Sequence, residues 1–156
     1  MKRVVAAAAF CVCIAAPAWA ADATLTIDGL VAHPAKLSLD DLKKLPPTEL
    51  DVTFQTGHGP EGGHFTGVLL WSLLDQAHLT DDKGKHADLH HTALATGSDG
   101  YVIAFSFGEL DPDFGGKTAI IAYADNGKPL DTPRLIIPGD KLGARDVHDL
   151  VRIEVK

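Results

Sequence analysis

The chain has only two cysteines in 156 residues, and both lie near its beginning, at Cys11 and Cys13. Residues 1–20 have the pattern of a secretory signal peptide, because a basic start precedes a short apolar stretch and the small-residue cleavage pattern Ala18-Trp19-Ala20. We therefore expect one mature domain, residues 21–156, in the periplasm or outside the cell. That domain contains no thiol, which excludes disulfides, thiolate–metal bonds and a cysteine nucleophile.

Basic residues and long apolar runs are also scarce. The chain has 14 Lys and Arg against 21 Asp and Glu, a formal net charge of −7, which argues against a nucleic-acid partner. After residue 20, no apolar run approaches the roughly 18–20 residues that a membrane-spanning helix needs. The sequence also has no P-loop, no dinucleotide-binding fingerprint and no Gly-x-Ser-x-Gly elbow. We expect a domain that is not embedded in a membrane.

The apolar pattern predicts a strand-dominated α+β domain with two short helices. Ser38 is predicted to cap the first helix, which continues to Leu45. Residues 68–78 are predicted as an amphipathic helix, with Leu70, Leu73, Leu74 and Ala77 on one face. Residues 108–116 are predicted to be irregular. Strands are predicted at 24–28, 50–55, 89–96, 101–105, 118–124 and 135–137, with a closing edge strand at 151–156.

A glycine-rich segment follows the second predicted strand. Thr56–Gly67 contains five glycines in twelve residues, and we predict a loop whose backbone N–H groups approach a ligand closely. The alternative is a surface loop that needs several positive φ angles.

The eight histidines invite a metal hypothesis. His58 and His64 share the glycine-rich segment, but their spacing fits no familiar zinc pattern. His90 and His91 would face opposite sides of a strand. The alternative is that these histidines are simply solvated.

Two arginines stand next to proline or glycine turns in acidic surroundings. Arg134 and Arg145 would each be able to clamp an anionic or heteroaromatic ligand. Surface ion pairs are the alternative for both.

Several short motifs, each weak alone, follow one another in a fixed order. Together they resemble the sulfite oxidase-type molybdopterin-binding domain over nearly all of residues 21–156. The resemblance implies that fold and a pterin-sized cleft. The motifs are Ile27–Val31, Leu39–Leu42, Val52–Gly57, Phe65–Leu70, Ser98–Tyr101, Ala122–Leu130, Arg134–Gly139 and Val151–Val155.

In that family, a cysteine at the end of the second strand ligates molybdenum. The corresponding stretch here, Phe54–His58, contains no residue that supplies a thiolate. The resemblance therefore implies the fold and a binding cleft without the metal-based oxygen transfer of the family. We expect a non-enzymatic module that binds a pterin and relays the state of its ligand to a membrane-bound receptor. Molybdopterin itself is not expected without the cysteine.

The ligand-binding residues that follow from this interpretation come from loops and strand ends. In this hypothesis Glu61 or Asp99 accepts hydrogen bonds from the pterin, and His58, Phe65 or Tyr101 stacks on its ring. The full predicted set is Gln55, Thr56, His58, Glu61, His64, Phe65, Asp99, Tyr101, Arg134 and Arg145.

Three other functions stay open from the sequence. The first is a molybdenum-cofactor oxidoreductase subunit with a ligand other than cysteine. The second is a protein-interaction module whose cleft is vestigial. The third is a zinc or copper carrier that uses histidines, for which His58 and His64 are the first candidates.

Overall fold

A computed structural model describes residues 23–80 and 83–156. The predicted signal peptide, with Cys11 and Cys13, lies outside the described residues. Two short 3₁₀ helices, Ala87–His90 and Gly143–Arg145, accompany the regular elements. Those elements are β1 (Thr24–Gly29), β2 (Ala35–Ser38), α1 (Leu39–Leu42), β3 (Thr48–Thr56), β4 (Gly59–Leu69), α2 (Leu70–Ala77), β5 (Thr92–Gly97), β6 (Val102–Ser106), α3 (Phe107–Leu110), β7 (Ile120–Asp125), β8 (Lys128–Ile136) and β9 (Leu150–Val155).

The strands form two sheets, which confirms the α+β class. One sheet has the order β2-β1-β9-β5-β6 and the other the order β3-β4-β7-β8. All neighbours pair antiparallel except β1 and β9, which run parallel. The main hydrophobic core draws on both sheets and α2, with Ile27, Ile153, Ile121 and Leu74 among its buried residues. Burial of these apolar faces supplies most of the stabilising free energy.

The prediction of a closing edge strand at the end of the chain is wrong. β9 is the central strand of the five-stranded sheet, between β1 and β5. Leu150, Ile153 and Val155 are buried as the pattern indicates. Alternation reveals which face of a strand is buried, but it carries no information about whether the two edges of the strand are paired.

The two predicted helices exist, and both are shorter than expected. The Ser38 side chain accepts a hydrogen bond from Asp41 N at 3.2 Å, which confirms the cap, and α1 ends at Leu42. In α2 the buried residues are Leu70, Leu73, Leu74 and Ala77, the predicted face. The two residues before Leu70 belong to β4 instead.

The glycine-rich segment is a strand, and the prediction of a loop is wrong. Residues from Gly59 onward form β4, which pairs with β3 and β7, and only Gly57 and His58 make the turn. A Cβ at Gly62 would overlap the carbonyl oxygen of Val52, and one at Gly67 would overlap that of Ile121. Gly62 and Gly67 allow neighbouring backbones to approach closely, and of the segment's five glycines Gly59 alone has a positive φ angle, 117°.

Three other boundaries differ from the sequence-based expectation. Leu89 and His90 lie in a 3₁₀ helix, so the strand begins at Thr92. The segment 108–116 was predicted to be irregular, but its first three residues belong to the helix α3. β8 starts immediately after the Asn126-Gly127 turn, well before residue 135. Its two prolines fit because β8 is an edge strand, where a missing N–H does not interrupt the ladder.

A second, smaller hydrophobic cluster lies on the outer face of the four-stranded sheet. The segment 138–146 runs over this face, since Gly143 lies directly against the ring of Phe54. The cluster consists of Val52, Phe54, Phe65, Ile120, Ala122 and Ile136. The candidate site is built on this face.

Candidate functional site

A groove of about 520 Å³ lies between the β3–β4 turn and the segment 138–146. Its walls are joined by main-chain pairing, because Gln55 N donates a hydrogen bond to Lys141 O at 2.9 Å and Gln55 bridges to Leu142. The residues lining the groove are Gln55, Thr56, Gly57, Leu142, Gly143 and Ala144. Its volume is in the range of small-molecule sites.

Thr56 organises the turn beside this groove. Its Oγ1 lies 2.9 Å from both Gly59 O and Glu61 Oε1, and it accepts a hydrogen bond from His58 N at 3.1 Å. Because the hydroxyl has one proton, it donates to one of these two oxygens at a time. The predicted residues Thr56, His58 and Glu61 are therefore neighbours, and His58 is exposed at the tip of the turn.

A neighbouring pocket of about 260 Å³ contains Arg134. The Arg134 guanidinium stands over the Phe65 ring, 5.2 Å from its centroid. Phe54, Glu61 and Asp125 complete the surroundings. Phe65 is buried, so it supports the arginine from below and is not an open stacking surface.

The Nε atom of Arg134 is buried, and it has no hydrogen-bond partner within residues 23–80 and 83–156. Nor does any carboxylate in those residues form an ion pair with this side chain. A buried polar group without a partner costs on the order of 1–3 kcal/mol, so it calls for an explanation. In the same residues Asp146 Oδ2 is also buried without a partner, and an anionic ligand in the pocket beside Arg134 would complete the surroundings of the guanidinium.

Two residues that the sequence analysis missed lie beside Arg134. Leu135 and Val147 form an antiparallel bridge, which makes His148 the cross-strand neighbour of Arg134. Asp146 Oδ1 accepts a hydrogen bond from Ile137 N at 2.9 Å. Burial raises the pKa of the Asp146 carboxyl, and the Arg134 charge acts in the opposite direction. The apolar alternation around Leu135 and Val147 is the only sequence signal that points to this pairing.

His64 lies away from this site. It is opposite Asp51 in the β3–β4 register, and Nδ1 is 2.9 Å from Asp51 Oδ1. Because Asp51 precedes Val52, whose side chain enters the small cluster, Asp51 and His64 point to the other face of the sheet. The hydrogen bond to Asp51 raises the pKa of His64, with Glu49 adding to the effect. When His64 is protonated, it forms an exposed ion pair with Asp51.

Tyr101 and Asp99 act on the groove from outside. The Tyr101 hydroxyl donates a hydrogen bond of 2.6 Å to Ala144 O, in the groove wall. Asp99 Oδ1 accepts one from Tyr101 N at 2.9 Å. Asp99 therefore stabilises the turn before β6, and Tyr101 holds the wall in place.

Arg145 is already occupied by carboxylates. Its Nε is 2.6 Å from Asp140 Oδ2, and its Nη1 is 3.0 Å from Glu109 Oε1. Lys117 Nζ adds contacts of 3.0 Å to Asp140 and 3.3 Å to Glu109. These bonds raise the pKa of Arg145 and lower that of Asp140. This network anchors the segment 138–146.

The donor set suits an anion better than a metal ion. Across the described part of the chain, no three His, Cys, Asp or Glu side chains are grouped to hold a metal ion. The stretch that corresponds to the family's cysteine offers the hydroxyl of Thr56. The unsatisfied guanidinium nitrogen of Arg134 fits an anionic group instead.

Within the described residues, no helix is both long enough and apolar enough to cross a membrane.

Comparisons with known proteins identify the family and the fold. The model of the oxidoreductase molybdopterin binding domain family matches residues 14–156. Among solved structures, the sulfane dehydrogenase SoxCD from Paracoccus pantotrophus is similar, with a TM-score of 0.69 and 21% sequence identity. The alignment covers 86% of this chain but 38% of that chain, so the likeness shows a shared fold over part of a larger protein. None of the curated proteins matches.

Proposed function

The chain belongs to the oxidoreductase molybdopterin binding domain family, and from this premise we propose that it binds a pterin through an anionic group of that ligand. The observation that carries the proposal is the buried, unsatisfied Nε of Arg134. A guanidinium recognises phosphate or carboxylate with two parallel hydrogen bonds. The ligand's anionic group would bind Arg134, and its heterocycle would lie in the groove beside Thr56.

The two binding regions adjoin through Phe54. Its ring lines the Arg134 pocket, and Gly143 of the groove wall lies against it. Glu61 belongs to the Arg134 pocket and is also held by Thr56 at the groove. In this proposal, Glu61 accepts hydrogen bonds from the ligand's amino group, a donor that a carboxylate pairs with strongly.

We propose that the domain binds the pterin without carrying out the redox chemistry of the family. Molybdenum held by molybdopterin supplies that chemistry, and a defined ligand set is what holds a catalytic metal. The described residues fit the anionic, organic part of such a cofactor and provide no thiolate for the metal. An exported module that reports pterin binding to a membrane-bound receptor is consistent with these features.

A second candidate is a molybdenum-cofactor oxidoreductase subunit with a ligand other than cysteine. The family match supports it, and Thr56 in the stretch that corresponds to the cysteine lies within hydrogen-bond distance of the Glu61 carboxylate, which places two oxygen donors together there. This candidate predicts stoichiometric molybdenum in the purified protein, measured by elemental analysis. The binding module predicts ligand without stoichiometric metal.

Calorimetric titration tests the proposal. The ligand-free protein is titrated with a tetrahydropterin that carries a side-chain phosphate and with the same pterin without the phosphate. We expect Arg134→Met to weaken binding of the phosphorylated pterin about tenfold to a hundredfold, the loss of a charged hydrogen-bond pair. Lys128→Met, which removes an exposed charge from the same strand, should leave the affinity unchanged.

Two results would count against the proposal. One is the absence of binding heat with either pterin in a protein that is folded by circular dichroism. The other is an equal affinity of the Arg134→Met and Lys128→Met variants for the phosphorylated pterin.

A further inference from the structure

The strand β6 forms one edge of the five-stranded sheet and pairs with β5 alone. Two hydrogen bonds show which residues of β6 direct their backbone groups towards β5. Gly97 N donates to Tyr101 O at 2.9 Å, and Phe107 N donates to His91 O at 3.1 Å. In an antiparallel ladder, the residues between such pairs turn their N–H and C=O groups outward. These residues are Val102, Ala104 and Ser106. No strand among residues 23–80 and 83–156 pairs with this side of β6, so the N–H groups of all three residues and the carbonyls of Val102 and Ala104 are available, whereas the Ser106 carbonyl belongs to the N-terminus of α3.

The composition of β6 does not protect this edge. Its sequence, Val-Ile-Ala-Phe-Ser, contains no charged residue and no proline. The other edges are protected: β8 contains two prolines, β3 contains Glu49 and Asp51, and β2 is four residues long with Lys36. Natural proteins block edge strands with such features to prevent pairing with other chains. β6 is therefore an edge that is open to strand addition.

Exposed apolar side chains gather along the same edge. Of the seven large hydrophobic residues exposed in the described part of the chain, four belong here: Leu89, Tyr101, Val102 and Phe114. Val102 opens the strand and Tyr101 precedes it. At the other end, Leu89 lies against Gly108, and Phe114 stands edge-on to His86 with ring centroids 5.3 Å apart. Such grouping is typical of a protein–protein contact.

The charge at the carboxyl end of β6 is acidic. Asp111 follows α3 directly, and Asp113 N donates a hydrogen bond to Asp111 Oδ1 at 2.8 Å. Asp111 itself is buried, and the carboxylates that this end presents to solvent are Asp113 and, in part, Asp88. The chain as a whole has a formal net charge of −7. Two copies of this surface would repel each other, and a cationic partner would be attracted.

We propose that β6, together with Leu89, Tyr101 and Phe114, is a docking edge that accepts an extended, cationic segment of a partner protein as an added strand. Backbone hydrogen bonds to Val102, Ala104 and Ser106 provide the affinity, and the apolar side chains provide the contact area. The Tyr101 hydroxyl links this docking edge to the groove wall at Ala144. The proposal does not depend on which ligand occupies the groove.

A designed peptide tests this docking edge. The probe is a fluorescent seven-residue peptide of alternating valine and threonine with a lysine at each end, and the comparison peptide has glutamates at the ends. We expect the lysine peptide to bind more tightly and to slow amide exchange at Val102, Ala104 and Ser106. Ala104→Pro removes the central outward N–H without touching the ladder to β5, and should weaken binding at least about tenfold. Ala104→Val keeps the N–H and should bind like the unaltered protein.

Several outcomes overturn the proposal. Failure of the lysine peptide to bind, or unchanged binding by a folded Ala104→Pro variant, removes its basis. If Ala104→Pro does not fold, amide exchange in the unaltered protein tests the proposal instead. Unchanged exchange rates at the three amides on addition of the lysine peptide would contradict the proposal. A concentration-dependent dimer in sedimentation equilibrium that protects these amides would assign the docking edge to a second copy of the chain.

Discussion

Asp146 shows how one buried carboxyl makes stability depend on pH. Burial raises its pKa in the folded protein above the ordinary value. The folded state therefore takes up the proton more readily than the unfolded state, and stability rises as pH falls from the raised pKa towards about 4. We expect Asp146→Asn to lose this contribution, so that its stability relative to the unaltered protein increases from pH 4 to pH 7.

Urea unfolding across that pH range measures the difference between the two proteins. Asp131→Asn, which alters an exposed carboxylate on β8, is the control and should follow the unaltered protein in parallel. Parallel curves for Asp146→Asn as well would show that the Asp146 carboxyl is not held in an unfavourable environment.

Arg134 and Arg145 look equivalent in the sequence and differ in the structure. Both stand near proline or glycine turns, which is why both were predicted as ligand clamps. Arg145 is satisfied by Asp140 and Glu109, and Glu109 is 36 residues away in the chain. Arg134 has no such partner in the described residues. Whether an arginine is free to bind a ligand depends on ion-pair partners that can be distant in the sequence. The local sequence pattern therefore does not reveal which of the two arginines is free.

In the strand β4, replacement of a glycine that lies against a neighbouring backbone should lower the free energy of unfolding. We expect Gly67→Ala to lower the free energy of unfolding by about 1–3 kcal/mol, because its Cβ would overlap the Ile121 carbonyl oxygen. Gly57→Ala, in the adjacent turn, meets nothing within 4 Å and should be close to neutral. Chemical denaturation of both variants measures the two changes in the free energy of unfolding. Equal, small effects would mean that the segment is the loop suggested by its composition.

The strand β4 is also the element whose secondary structure was predicted wrongly from the sequence. Five glycines in twelve residues predicted a loop, because glycine disfavours strands when counted alone. Gly62 and Gly67 allow β3 and β7 to approach β4 closely, and that approach is a property of the assembled sheet. The buried face of α2 and the cap of α1 were predicted correctly, since both depend on residues within one or two helical turns.

The segment 138–146 forms one wall of the groove, and the ion network that anchors it can be tested. Arg145→Met removes contacts to Asp140 and Glu109 from side chains that are mostly buried. We expect a loss of about 1–3 kcal/mol in the free energy of unfolding. Binding of the phosphorylated pterin should weaken less than in Arg134→Met, since Arg145 supports the wall without contacting the ligand. A larger binding loss in Arg145→Met would place Arg145 in contact with the ligand.

For the whole molecule, the order of short motifs along the chain was the informative signal. It predicted the family, and the match over residues 14–156 confirms it. The positions of Asp146 and His148 were not predicted, because the Leu135–Val147 bridge that brings them to Arg134 joins β8 to a segment that belongs to no strand. The proposal of pterin binding rests on this junction.

Native mass spectrometry of the protein, produced in a host that makes molybdopterin, is the sharpest test of pterin binding through Arg134. We expect a bound mass of pterin size on the unaltered protein and on Lys128→Met, no such mass on Arg134→Met, and molybdenum well below one atom per chain. An adduct that survives Arg134→Met, or stoichiometric molybdenum in the unaltered protein, would contradict it.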